Sequence, residues 1–271
     1  MNRKYLYPLL IIIVTAALYY GEKYVDRQNE AYPDTTGNKI LSSSEFDDSF
    51  LPTSTTGAIV NHTYYSLSYS EAHEQAEWVA YSLSKNQLSK NDIERPYFVE
   101  DRLVKTKSAD WRNYKNSGFD RGHLCPAGDR RFSYDAYHET FLTSNISPQN
   151  HEFNSGIWNS LEQKVRFWAE KYDGVYVVTG GVLKDGLPGI GEESVSVPEE
   201  FYKIILDASE GNYKAVAFLI PNEAQNGSFY DFAVPIDTIE TKTGIDFFPN
   251  LSEAIQKKLE SKIDLSAWGK R

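Results

Sequence analysis

The chain is almost without cysteine. Cys125 is the only one among 271 residues, so no intramolecular disulfide can hold the fold together. A lone thiol of this kind most often packs as a small hydrophobe, and no other feature of the sequence asks for a catalytic one. An excess of positive charge is missing too. With 28 Lys/Arg against 38 Asp/Glu the formal net charge is −10, which excludes a passive basic coat for nucleic acid, because phosphate binding needs a positive surface. The acidity is unevenly spread, however. Between Lys85 and Arg131 eleven Lys/Arg stand against seven Asp/Glu, a local +4, which leaves 17 Lys/Arg and 31 Asp/Glu, a net −14, for the rest. Internal repeats and low-complexity tracts are absent beyond the first fifty-odd residues. What remains is ordinary globular material, 41% hydrophobic and 24% charged, enough for a packed core. An aromatic content of 14% favours a fold with substantial sheet.

The opening "MNRKYLYPLLIIIVTAALYYGEK" sets Arg3 and Lys4 before seventeen uncharged residues, Tyr5 to Gly21. Positive residues followed by a short apolar stretch describe an export signal or a signal anchor, and seventeen lies at the lower edge of a spanning helix. No clear small-residue cleavage site precedes Gly21, which favours a retained anchor in the membrane. The positive-inside rule then puts residues 27 onward outside the cytoplasm. Export with so little cysteine fits a bacterial envelope better than a disulfide-rich extracellular module. Residues 22–55, including "TTGNKILSSSEFDDS", read as a linker. Residues 56–271 then form one domain.

Within that domain, alternation predicts strands over Thr63–Ser70, Ala76–Ser84, Gly174–Leu183, Glu200–Ala208 and Tyr213–Pro221. "SEGN" makes a hairpin-like turn between the last two. Phe153, Ile157, Leu161, Val165 and Trp168 form one helical stripe, and a weaker helix is expected over Ser252–Ile263. The fold class is α+β, a central antiparallel sheet flanked by helices, preceded by the N-terminal hydrophobic segment.

Two segments carry chemistry. In "FDRGHLCPAGDRR", His123 is a candidate general base, since an imidazole titrates near neutral pH, and Arg121 offers a fork of donors for a phosphoryl group. In "LTSNISPQNHEFNSGIWNSLE", helical spacing sets Asn154, Trp158 and Glu162 in a stripe beside the buried one. An Asn amide oxygen suits a hard cation such as Mg²⁺, and Glu can orient metal-bound water. The plainer alternative makes Asn154 a helix cap and Glu162 a solvated acid. Asp120 reads as structural, paired with an arginine. Arg130 and Arg131 either extend a phosphate track or solvate a loop, His138 and His151 read as surface residues, and "GGVLKDG" is a turn, because no Lys-Ser/Thr pair opens a helix after it.

"DRGH" joined to "SNISPQ…N…W…LE" resembles the DNA/RNA non-specific endonucleases of the ββα-metal (His-Me finger) superfamily, relatives of mitochondrial endonuclease G. The likeness covers roughly residues 60–250 and includes "AEWVAYSL", "ERPYF" and "TKTGIDFFPNL". It implies a sheet flanked by helices with a ββα-metal finger, His123 on a strand and Asn154 on the helix packed against it. It also implies His123 as the base that activates water, Asn154 as the one direct protein ligand of Mg²⁺, with Mn²⁺ able to substitute, and Glu162 as the holder of metal-bound water. Arg121 and, in "ERPYF", Arg95 match phosphate-contacting arginines, and Asn145 falls near the site as a candidate substrate contact, its exact role open. The implied reaction cuts DNA and RNA to 5′-phosphate and 3′-hydroxyl ends with little sequence preference. A histidine base must be neutral to act, so activity should fall on acidification. Two other functions compete: a nucleic-acid-binding surface protein of the same fold with weak turnover, and a phosphodiesterase for small substrates.

Overall fold

The computed structural model describes residues 48–209 and 213–269, together with Val14. The chain divides into residues 1–42 and 43–271, and the second unit is the subject here. Val14 apart, the expected export or anchor segment lies outside the described residues. So do most of the expected linker and the last three residues of the "SEGN" turn. Among the described residues no helix is long and apolar enough to cross a membrane.

The described strands are β1 (Ile59–Asn61), β2 (Ser66–Ser70), β3 (Gln75–Ser84), β4 (Asp120–His123), β5 (Ile146–Gln149), β6 (Gly174–Gly181), β7 (Gly189–Ile190), β8 (Val195–Ser196), β9 (Glu200–Asp207), β10 (Lys214–Pro221) and β11 (Ala233–Val234). Seven of them form one sheet in the order β1-β2-β3-β6-β9-β10-β11, with every neighbouring pair antiparallel. All five predicted strands are present, within a few residues of their expected ends.

The strands of this sheet are apolar on both sides because successive side chains point to opposite faces. Val79, Tyr81, Val177, Ile205 and Phe218 belong to one core, and their neighbours Trp78, Ala80, Val178, Ile204 and Leu219 to another. Each face therefore needs a helical cover. The helices are α1 (Tyr134–Glu139), α2 (His151–Phe153), α3 (Asn159–Lys171), α4 (Ile236–Thr243) and α5 (Glu253–Glu260). The predicted stripe Phe153, Ile157, Leu161, Val165 and Trp168 is buried as one row in the first core. Ile236 and Ile239 of α4 and Leu259 of α5 close the second.

Between α2 and α3 the helix widens into a π turn, Asn154–Trp158, where Gly156 leaves helical geometry at φ −98°, ψ −105°. A regular helix was the sequence expectation. The wide turn instead lets Phe153 and Trp158, five residues apart, bring their rings to 5.1 Å. Wide turns of this kind recur at functional sites.

Residues 50–55, expected as linker, are part of the domain. Phe50 is buried in the second core, the Trp78 indole donates to the Thr53 carbonyl at 2.9 Å, and the Thr55 amide donates to the Glu77 carboxylate at 2.9 Å. Between β3 and β6 the chain leaves the sheet to build β4 and β5 over a small third core of Phe98, Tyr114, Tyr137, Phe141 and Ile146.

Leu161 is wholly buried between the helix and the sheet. Leu161→Ala should lower unfolding stability by about 2–5 kcal/mol, read as a reduced urea midpoint with an unchanged slope.

Candidate active site

The DRGH run is strand β4. It pairs antiparallel with β5, Asp120 opposite Gln149 and His123 opposite Ile146. Strand alternation sends Arg121 and His123 to one face, Asp120 and Gly122 to the other. Glycine is required at 122: an added Cβ would lie 2.1 Å from Cδ of the buried Gln149. After His123 the chain turns under tight control from one side chain. Asn145 Oδ1 accepts from the Cys125 amide at 2.8 Å, and its Nδ2 donates to the carbonyls of Cys125 and Thr140 at 3.0 and 2.9 Å. Asn145 is fully buried and all its polar atoms are used. It therefore positions the turn and does not face a substrate, a correction to the expected contact. Burial pushes the Cys125 thiol up to about 12, so it packs as a small hydrophobe.

His123 stands in an aromatic cradle, edge-on to Phe141 at 4.9 Å and tilted against Phe98 at 5.5 Å between centroids. Its Nε2 is buried with no hydrogen-bond partner among the described residues. Desolvation, followed by the positive charge of Arg95, pushes its pKa down to about 3. The imidazole is thus neutral through the whole neutral range, and protonation sets in far below the pH that an ordinary histidine gives.

The two candidate arginines meet at the same rings. The Arg121 guanidinium carbon lies 5.0 Å from the Phe98 centroid and 5.8 Å from that of Trp111. That of Arg95 lies 5.6 Å from Phe98 and 5.4 Å from Phe141. One phenyl ring, Phe98, therefore holds His123, Arg95 and Arg121 around it. Cation–π contacts of this sort fix a guanidinium without using its N–H donors, which stay available for an anion.

The helical half is tied on through Asp120. Its Oδ2 accepts from Nδ2 of Asn154 at 2.9 Å and meets Nδ1 of His151 at 2.9 Å. These, and not an arginine, are its partners. Asn154 is not the helix cap either, because Asn150 is: its Oδ1 accepts from the amides of Glu152 and Phe153. With the Asn154 amide nitrogen committed to Asp120, its amide oxygen is the atom left for a ligand.

Glu162 lies half-buried on α3, among charges that the sequence did not point to. Burial raises its pKa, opposed first by Lys203, while Asp129 raises it further. Lys203 is wholly buried on β9, bonded to Thr179 Oγ1 at 3.2 Å and set over the Trp158 ring at 4.6 Å. Asp129 Oδ1 accepts from Arg166 at 2.7 Å and Oδ2 from the Tyr81 hydroxyl at 3.0 Å. One signal could have revealed this network: Lys203 interrupts the otherwise apolar run "EFYKIILDA".

Arg130 departs from expectation. It is 1% exposed and donates through Nη2 to the carbonyls of Tyr64 and Ser82 at 2.8 and 3.0 Å. It is an internal tie and extends no phosphate track. Arg131 is half-buried beside Tyr137, its guanidinium 5.7 Å from the ring centre. His138 stacks on Tyr134 at 3.8 Å, and His151 is exposed beside Asp120.

Residues 42–254 match the family described as DNA/RNA non-specific endonuclease. The mitochondrial nuclease EXOG of Danio rerio is 34% identical over 209 residues, covering 71% of this chain and 61% of that protein. The Homo sapiens EXOG is 35% identical over 209 residues, covering 70% and 56%. Mitochondrial endonuclease G of Homo sapiens is 35% identical over 202 residues, covering 69% and 68%. The chain thus spans about six tenths of the length of the EXOG relatives. A crystal structure of an EndoG/EndoGI complex aligns with a TM-score of 0.68 at 30% identity, covering 74% of this chain and 88% of that one.

The histidine makes a stability prediction with a definite sign. Its folded pKa lies below the unfolded value of about 6.5, so the unfolded state binds more protons once the pH drops beneath that value. Its contribution is fully present above about pH 6.5 and is lost on acidification towards pH 3, by at most ~1.4 kcal/mol per unit. Urea unfolding at pH 7, 6 and 5 should therefore show a steeper loss in the native chain than in His123→Phe. Parallel losses would contradict the buried, unpaired imidazole.

Proposed function

The chain belongs to the DNA/RNA non-specific endonuclease family, and on that premise we propose that it is a metal-dependent endonuclease cutting DNA and RNA to 5′-phosphate and 3′-hydroxyl ends. The gathering of His123, Arg95 and Arg121 about the Phe98 ring is the observation that carries it. A base and two phosphate-binding cations occupy one spot, next to a strand that Asp120 fastens to Asn154.

His123 is the base. Burial keeps it unprotonated at neutral pH, and since Nε2 is sealed from solvent the other ring nitrogen, Nδ1, is the one to take a proton from water attacking phosphorus. Arg95 and Arg121 present their N–H forks to the phosphate and stabilise the charge that builds on it. The cation would be Mg²⁺, with Mn²⁺ a substitute at an oxygen site. The residues fit it: Asn154 supplies a neutral amide oxygen whose nitrogen is already used, and Glu162 supplies a carboxylate close by in sequence on the same helical segment. Such an ion acts as a Lewis acid on phosphate oxygens. Contacts through phosphate carry no base information, in keeping with non-specific cleavage of both polymers. An exported or membrane-anchored location is part of the proposal and is supported by Arg3, Lys4 and the uncharged run to Gly21.

Supercoiled plasmid and a long RNA should both be digested in MgCl₂ and left intact in EDTA. His123→Ala should lower the rate by 10²- to 10⁴-fold while filter binding of DNA persists. Cleavage by His123→Ala at the native rate would sink the assignment, and binding without cleavage by the native chain would favour a nucleic-acid-binding protein of the same fold. A chromogenic diester cut while polymer is spared would point to a small-substrate phosphodiesterase.

A further inference from the structure

A second group of acids lies on the far side of the sheet. α4 and α5 cover the face opposite to α3. There Asp237 and Glu240 of α4 and Glu260 at the end of α5 each bring one carboxylate oxygen within 4.8 Å of the others. Asp237 is exposed, Glu240 half-buried and Glu260 only 6% exposed.

Glu260 is the anomaly. Its Oε1 is buried with no hydrogen-bond partner among the described residues, and a carboxylate in that condition is costly unless something compensates its charge. The groups around it make matters worse. Burial comes first, then Glu240, Asp246 and Asp237, and together they push its pKa up to about 8. Glu240 is raised as well, by burial and by Asp246 and Asp237. Lys242, on the same helix, is engaged elsewhere, with Glu200 at 2.6 Å. Glu240 Oε1 accepts from the Phe247 amide at 2.9 Å, leaving its second oxygen.

A proton or a cation can satisfy such a cluster, and three carboxylates converging from two helices offer a cation several oxygens at once. Ca²⁺ takes six to eight oxygens at about 2.3–2.6 Å in flexible geometry and accepts carboxylates together with water. Mg²⁺, at about 2.0–2.1 Å, demands near-octahedral geometry and holds its water more tightly. We propose that Asp237, Glu240 and Glu260 form a Ca²⁺ site that ties α4 to α5, separate from the Asn154 site across the sheet. Asp237, being exposed, leaves room for water to complete the coordination. The ion neutralises the buried carboxylate and cross-links two short helices, so its consequence is stability and not chemistry. None of this depends on the chain being a nuclease.

The test uses the full chain carrying Asn154→Ala, which removes the other candidate ligand, stripped with EDTA and then titrated with CaCl₂ by calorimetry and thermal melting. Near-unit stoichiometry is expected, with a melting temperature a few degrees higher at saturation. Adding Glu260→Gln should abolish both. That substitution mimics the protonated acid that the raised pKa gives the metal-free chain, so the metal-free variant should melt close to its parent, which rules out misfolding as the cause. Asp237→Asn, at an exposed position, should weaken CaCl₂ binding at least tenfold while the fold is kept. No binding by the parent, or an undiminished CaCl₂ response in Glu260→Gln, overturns the site. MgCl₂ binding as tight as CaCl₂ overturns its assignment to Ca²⁺.

Discussion

The hydrogen bond from the Asn154 amide to Asp120, 2.9 Å long, joins the DRGH strand to the helical segment, beside the contact of Asp120 with His151. Asp120 belongs to a short strand outside the main sheet, and Asn154 to a wide turn docked against that sheet. Without the bond nothing described would fix which way the Asn154 amide faces, since Asn150 and not Asn154 caps the helix. With it, the amide nitrogen is consumed and the oxygen is oriented. A neutral oxygen held in place costs little to desolvate beside a charge, which is why a single short contact can decide whether a strand and a helix make a site.

That contact works only because both sides are rigid. The strand side is pinned by Asn145, buried and fully bonded behind Cys125, and by Gln149, which fills the space that Gly122 leaves. The helix side is pinned by the row of Phe153, Leu161, Val165 and Trp168 in the core. The sheet beneath is apolar on both faces, so each helical layer is held by burial of large side chains. The one charged side chain wholly buried on β9, Lys203, is the first charge to oppose the burial of Glu162. A buried cation among carboxylates is tolerable only when paired. The network of Tyr81, Asp129, Arg166 and Lys203 reads as support that keeps Glu162 in place.

Much of this was legible in the sequence. The alternation of "AEWVAYSLS" and "YKAVAFLIP" and the stripe from Phe153 to Trp168 depend on local periodicity, and they emerged as strands and a helix close to where they were expected. The motif residues His123, Arg121 and Arg95 came together around an aromatic ring. Long-range polar pairing was not legible. Nothing in linear spacing tells that Asp120 reaches residues 31 and 34 positions on, or that Arg130 folds inward to carbonyls of Tyr64 and Ser82. A buried polar side chain must be fully bonded, and its partners are set by how loops return. Asn145 and Arg130, candidate substrate contacts on the sequence, are thus internal ties. Helical spacing carries no sign of the wide turn at Gly156, and the polar composition of residues 50–55 hides the anchoring of Phe50.

The interdependence of Asp120 and Asn154 can be measured directly by a double-mutant cycle on the rate of plasmid cleavage in MgCl₂. If Asp120 acts by orienting Asn154, then Asp120→Ala and Asn154→Ala are not additive, and the double variant cleaves about as slowly as Asn154→Ala alone. Fully additive losses would mean that the two residues act independently and would contradict this account of how the site is built.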